Sequence, residues 1–113
     1  MNAVDRGRLD SGRAWILFES RKKCPLADGS GPMKGRHLIL GLEDESAEVN
    51  KEERVQLWAI ADELAEKYAV YPGRWRIARN GADVCTRPTF HVHLIFPQAG
   101  EEIPKLVFRP ANQ

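Results

Sequence analysis

Cysteine is scarce in this chain, with 2 among 113 residues, at Cys24 and Cys85. So few thiols do not build the cross-linked scaffold of a short secreted domain, and both are expected to be free. An excess of charge of either sign is also missing. The 17 basic and 16 acidic residues leave a formal net charge of +1, which gives no overall attraction to nucleic acid or to an anionic membrane. No apolar run approaches the ~20 residues needed to cross a bilayer. The opening MNAVDRGRLDSGRAW lacks the apolar segment of a signal peptide. A cytoplasmic protein is therefore expected, with neither membrane nor nucleic acid among its partners. Internal repeats and low-complexity stretches are absent from the sequence as well.

The balance of 42% hydrophobic and 29% charged residues is that of a globular protein, and the length suits a single domain spanning residues 1–113. Residues 1–12 are polar, contain Gly7 and Gly12, and are expected to form a loose N-terminal arm. The run AWILF, residues 14–18, is a strand candidate, and RHLILGL, residues 36–42, is a second. Between them CPLADGSGPMKG, with two prolines and three glycines, reads as loop. Asn50 followed by Glu53 is a helix start of the capping-box kind. After it Leu57, Trp58, Ala61, Leu64, Ala65 and Tyr68 recur at helical spacing, giving one apolar side. The YPG at 71–73 ends that helix, and RWRIAR (74–79), TFHVHLIFP (89–97) and KLVFR (105–109) are three further strand candidates. The expected fold class is α+β: an antiparallel sheet of about five strands with one main helix packed on one face.

The fourth strand candidate carries the chemistry. Successive side chains on a strand alternate faces, so His91 and His93 share one side while Phe90, Val92, Leu94 and Phe96 take the other. The apolar set is expected under the helix, against Trp58 and Leu64. The histidines are then left on the uncovered face with Cβ atoms roughly 6–7 Å apart, near enough to touch one ligand. Ile95 continues their row and is apolar. The preceding NGADVCTRP, residues 80–88, offers Gly81 for a backbone N–H cradle, Asn80 as a neutral donor and Arg87 as a planar fork suited to phosphate. The one remaining histidine is His37 on the second strand. Each of these has a plainer reading. A lone histidine such as His37 is commonly structural, Asn80 beside Gly81 is an ordinary turn pair, Arg87 an ordinary surface arginine, and Cys85 a loop thiol.

From Trp75 to Pro97, WRIARNGADVCTRPTFHVHLIFP resembles the C-terminal half of the histidine triad (HIT) superfamily. That half has an aromatic-Arg strand, an Asn, a glycine-bearing phosphate loop, and His residues alternating with apolar ones. Asn80 stands eleven residues before His91, and GRHLIL upstream is similar to the family's Gly-His-apolar strand. The resemblance implies a HIT-like fold, a site for a nucleotide or another phosphate-containing small molecule, a homodimer and no cofactor. It implies His93 as the nucleophile that attacks phosphorus, His91 orienting it or binding phosphate, and Asn80 on a phosphate oxygen. His37 would be the upstream histidine, with Arg36 taking that place if the strand slips by one residue. The pattern departs from the family at Ile95, where a third histidine is usual, at Pro88 and at Arg87. Losing a supporting polar group of this kind costs about 100-fold to 1000-fold in rate. The implied activity is thus a weak nucleotidyl hydrolase or transferase of the phosphoramidase kind, or binding alone. Two other classes fit the same residues: a metal site through His91 and His93, completed by His37, Cys85 or an acidic residue, and a non-catalytic interaction domain that has kept the fold.

Overall fold

The computed structural model describes residues 3–44, 48–79 and 90–104. Five antiparallel strands form one sheet in the order β1-β2-β3-β5-β4. They are β1 (Ala3–Arg8), β2 (Ala14–Glu19), β3 (Arg36–Leu42), β4 (Arg76–Ala78) and β5 (His91–Phe96). Among the described residues a single helix, α1 (Lys51–Tyr68), lies between β3 and β4 in sequence. Both β3 and β4 pair antiparallel with β5, so they run in the same direction and α1 is the crossover between them. The α+β class, with one helix on one face of an antiparallel sheet, is as the periodicities imply.

The helix begins where the sequence allows. The Asn50 side chain accepts from the Glu53 amide at 2.9 Å, and Glu53 accepts from the Asn50 amide at 3.1 Å, which completes the capping box. Leu57, Ala61, Leu64 and Ala65 form its buried stripe. They close a core with Leu17, Leu38, Leu40, Val92 and Leu94, all five fully buried. Trp58 differs from expectation. It lies roughly 100° round the helix from Leu57, on the flank of the stripe, and is 40% exposed.

The expected loose arm is also corrected, because residues 3–8 are β1, the edge strand paired with β2. A turn through Gly12, whose φ of 91° suits glycine, joins the two strands. Contacts to both ends of α1 hold this hairpin in place. At the helix N-terminus Arg13 Nη1 meets the buried Glu53 carboxylate at 3.1 Å, and Ser11 Oγ donates to it at 2.8 Å. At the C-terminus Lys67 Nζ and Tyr68 OH both donate to Asp5, at 2.8 and 2.9 Å. The anchoring residues lie forty or more positions away along the chain, so local composition does not reveal them. The strand candidate at 105–109 lies outside the described residues.

The connection from β2 to β3, residues 20–35, folds back as a strap over one end of the opposite sheet face. Met33 and Cys24 from the strap bury Ile95 of β5 in a second small core. Glu101 ties the strap down, its carboxylate accepting from the amides of Lys34 at 2.6 Å, Gly35 at 3.0 Å and Gln98 at 2.9 Å. Gly35 passes so close to β5 that a Cβ there would overlap the Phe96 carbonyl oxygen. Neither backbone can yield without breaking the pairing of β3 with β5. Gly35→Ala is accordingly expected to lower the unfolding free energy by about 3 kcal/mol or more, read as a shift of the urea midpoint. A change under ~0.5 kcal/mol would show that the strands can separate at little cost.

Candidate functional site

Cross-strand partners share a face of the sheet, so the strand registers build the side opposite the helix residue by residue. One row places Phe18 beside Ile39, His93 and Ala78. The next places Ile16 beside Gly41 and His91. The row at the strap end holds His37, Ile95 and Arg76. Ile16, Phe18 and Ile39 are half-buried, as are His91 and His93. His37 is buried at 6% exposure. The two strand histidines therefore look away from the helix, as alternation requires. Among the described residues, the strap covers this face at Ile95 and His37 and does not extend over His91, His93, Ile39, Phe18 and Ile16, which stay half-buried.

Three imidazoles meet on this face. His91 and His93 rings lie edge to face with centroids 5.2 Å apart. His37 and His93 centroids are 5.0 Å apart, with His37 Nε2 and His93 Nδ1 separated by 2.8 Å. The other nitrogen of His37 is held from behind, where the Cys24 amide N–H donates to His37 Nδ1 at 3.0 Å. His37 thus joins the pair through its contact with His93. Arg36, one residue earlier, faces the helix side and bonds Glu19 at 2.5 Å.

Burial sets the electrostatics. The strap over His37, with the neighbouring His93 and Lys23 adding repulsion, lowers its pKa from 6.5 to about 4. His93 is lowered for the same first reason, burial, with His91 adding to it. Both rings are therefore neutral at neutral pH, and an anion arriving beside them would stabilise their charged forms.

Asn80, Arg87, Gly81 and Cys85 lie outside the described residues. Cys24 carries a free, buried thiol, and what it gives the site is its backbone amide. Among the described residues, no cluster of three or more His, Cys, Asp or Glu side chains could hold a metal ion. His37 Nε2 and His93 Nδ1 face each other at 2.8 Å, too close for an ion at ~2.0 Å from each nitrogen in tetrahedral geometry. A cleft between β4 and the turn at 97–103 is lined by Arg74, Trp75, Arg76, Glu101 and Ile103. Its arginines donate to the backbone carbonyls of Gln98, Glu101 and Pro104, so they serve the strap's foundation.

Two parts of the site escaped sequence reading. The apolar patch of Ile16, Phe18 and Ile39 could have been found from alternation within the first two strands, because Leu17 and Leu40 between them belong to the core. The Cys24 amide has no signal in the sequence, since a backbone donor is fixed by the path of the strap.

The depressed pKa of His37 makes stability depend on pH. The unfolded chain takes up this proton near pH 6.5 and the folded protein only near 4, so between those values the unfolded state binds more protons. This contribution is complete above about pH 6.5 and is lost as pH falls toward 4, on the order of 3 kcal/mol at ~1.4 kcal/mol per pKa unit. His37→Gln, which has no titrating group there, is expected to flatten urea-measured stability between pH 7 and about 4.5. Parallel profiles for the two proteins would show that His37 is protonated without cost.

Compared with family models, with curated proteins and with solved structures, the chain finds no match to any of them, and the geometry of its own residues is what a function must be read from.

Proposed function

We propose that the chain binds a phosphate-containing small molecule, a nucleotide by preference, on the sheet face opposite α1. The observation that carries this is the shared, half-buried placement of His91 and His93 beside the apolar rows of Ile16, Ile39 and Phe18. Phe18 and His93 are two strands apart, roughly 10 Å, a span comparable to that from a base to its 5′-phosphate. An aromatic and aliphatic floor suits a flat base, while imidazole N–H groups suit phosphate oxygens. Asn80 and Arg87, in the segment that precedes β5 in sequence, would add donors. The HIT resemblance supports the same assignment and adds a homodimer, which sedimentation velocity would check.

A finer version makes the protein a weak nucleotidyl hydrolase or transferase with His93 as nucleophile. That chemistry needs a lone pair on the outward ring nitrogen of His93 and a proton on its other nitrogen. A second reading, a non-catalytic interaction domain, is favoured by one observation: the third position of the histidine row is Ile95, sealed beneath Cys24 and Met33. No substrate can reach it.

Titration of 15N-labelled protein with AMP, GMP and inorganic phosphate is expected to shift amides of β3 and β5 with dissociation constants at or below the millimolar range. His93→Ala should weaken AMP binding about tenfold, equivalent to ~1.4 kcal/mol. In parallel, turnover of adenosine 5′-phosphoramidate tests the finer version. If no compound shifts those amides at 10 mM, the phosphate-binding assignment falls and the interaction domain stands in its place.

A further inference from the structure

We infer that the strap at residues 20–35 locks the tautomer of the histidine row, so that His93 presents an N–H and not a lone pair to whatever binds. The inference rests on the phosphate-binding assignment only for what that N–H is used for; the lock itself does not need it.

The chain of donors begins at a group whose direction is not negotiable. A backbone amide can only donate, and the Cys24 N–H points at His37 Nδ1 across 3.0 Å. That nitrogen must therefore hold a lone pair. A His37 cation, with protons on both nitrogens, would set N–H against N–H, so the ring is neutral and its one proton sits on Nε2. From Nε2 that proton faces His93 Nδ1 at 2.8 Å, so His93 Nδ1 is in turn the acceptor. The proton of a neutral His93 then belongs on Nε2, the nitrogen left for a ligand. Each assignment follows from the one before it, and the fixed point is main chain.

The consequence is chemical. For His93 to attack phosphorus through its outward Nε2, that nitrogen must hold the lone pair and Nδ1 must carry the proton against an acceptor. Here the arrangement is reversed. His93 is built to donate a hydrogen bond to an anionic oxygen, and becoming a nucleophile would require moving its proton against the whole relay. His37 is thus a positioning residue, and Cys24 acts through its amide, whatever its side chain.

Glutamine and glutamate at position 37 separate this idea from simple packing. A Gln side chain can accept from the Cys24 amide with its oxygen and still donate to His93 with its nitrogen. A Glu side chain can only accept, which calls for a proton on His93 Nδ1. Long-range 1H–15N correlation spectra near pH 7 report which ring nitrogen is protonated. In the wild type His37 and His93 are expected to be unprotonated at Nδ1 and protonated at Nε2. His37→Gln should leave the His93 pattern as it is, and His37→Glu should move the proton to, or add one at, Nδ1. A wild-type His93 protonated at Nδ1 overturns the lock outright and needs no variant to fold. So does a His93 pattern that is the same in His37→Glu as in the wild type. Because these spectra are recorded without ligand, a failed phosphate titration beside the expected tautomers would remove the binding assignment and leave the lock standing.

Discussion

The pairing of β3 with β5 is the constraint on which the rest depends. Its register sets His37 opposite Ile95, Ile39 opposite His93 and Gly41 opposite His91. Because side chains alternate, the same register delivers Leu38, Leu40, Val92 and Leu94 to the helix, each fully buried. A slip by one residue would turn the imidazoles into the core and the leucines out to water. The apolar positions therefore supply the free energy that orients the histidines, at about 2 kcal/mol for each fully buried leucine or valine. Gly35, packed against the Phe96 carbonyl, and Glu101, bonded to three backbone amides, secure the strap end of this strand pair.

The strap gives the site its polarity. Without residues 20–35, His37 would be an imidazole on an open sheet face, free to take either tautomer and to titrate normally. Covered by the strap, it loses solvent and gains a fixed donor in the Cys24 amide at 3.0 Å. Both effects favour the neutral ring, one by penalising charge and the other by occupying the second nitrogen. Burying a histidine costs stability when acid protonates the unfolded chain. A row of three apolar residues would fold with less penalty, so holding the imidazole there is easiest to understand if the relay to His93 is useful.

Much of this was readable from the sequence, for reasons that differ by element. The helix was legible because its cap, its 3.6-residue stripe and its YPG stop agree with one another. The two faces of β5 were legible because alternation needs no partner. What failed depended on contacts distant along the chain. The first twelve residues look polar and unstructured in sequence, whereas from Ala3 on they are held by Asp5 on Lys67 and Tyr68 and, just beyond them, by Arg13 on Glu53. Trp58 belongs to the helical stripe by spacing, but sits at its flank, where the sheet beneath does not reach. In sequence His37 is the one other histidine, placed on the second strand beside the pair, and a lone histidine of that kind is commonly structural. The 2.8 Å contact with His93 brings the structural role and the place beside the pair together in one hydrogen bond.

Ile95 gives the last step. In sequence it is the apolar third position of the row that His91 and His93 begin. In the structure that position is roofed by Cys24 and Met33, part of the same strap whose backbone fixes His37. A polar ring there would be buried without a partner, whereas an isoleucine fills the space and holds the strap down. Ile95 and the His37 contact thus belong to one arrangement: the strap that closes the third position also places the Cys24 amide on His37, behind the second. On the phosphate-binding reading, the strap that closes the third position to any ligand is the one that would leave His93 as a donor to an anionic oxygen.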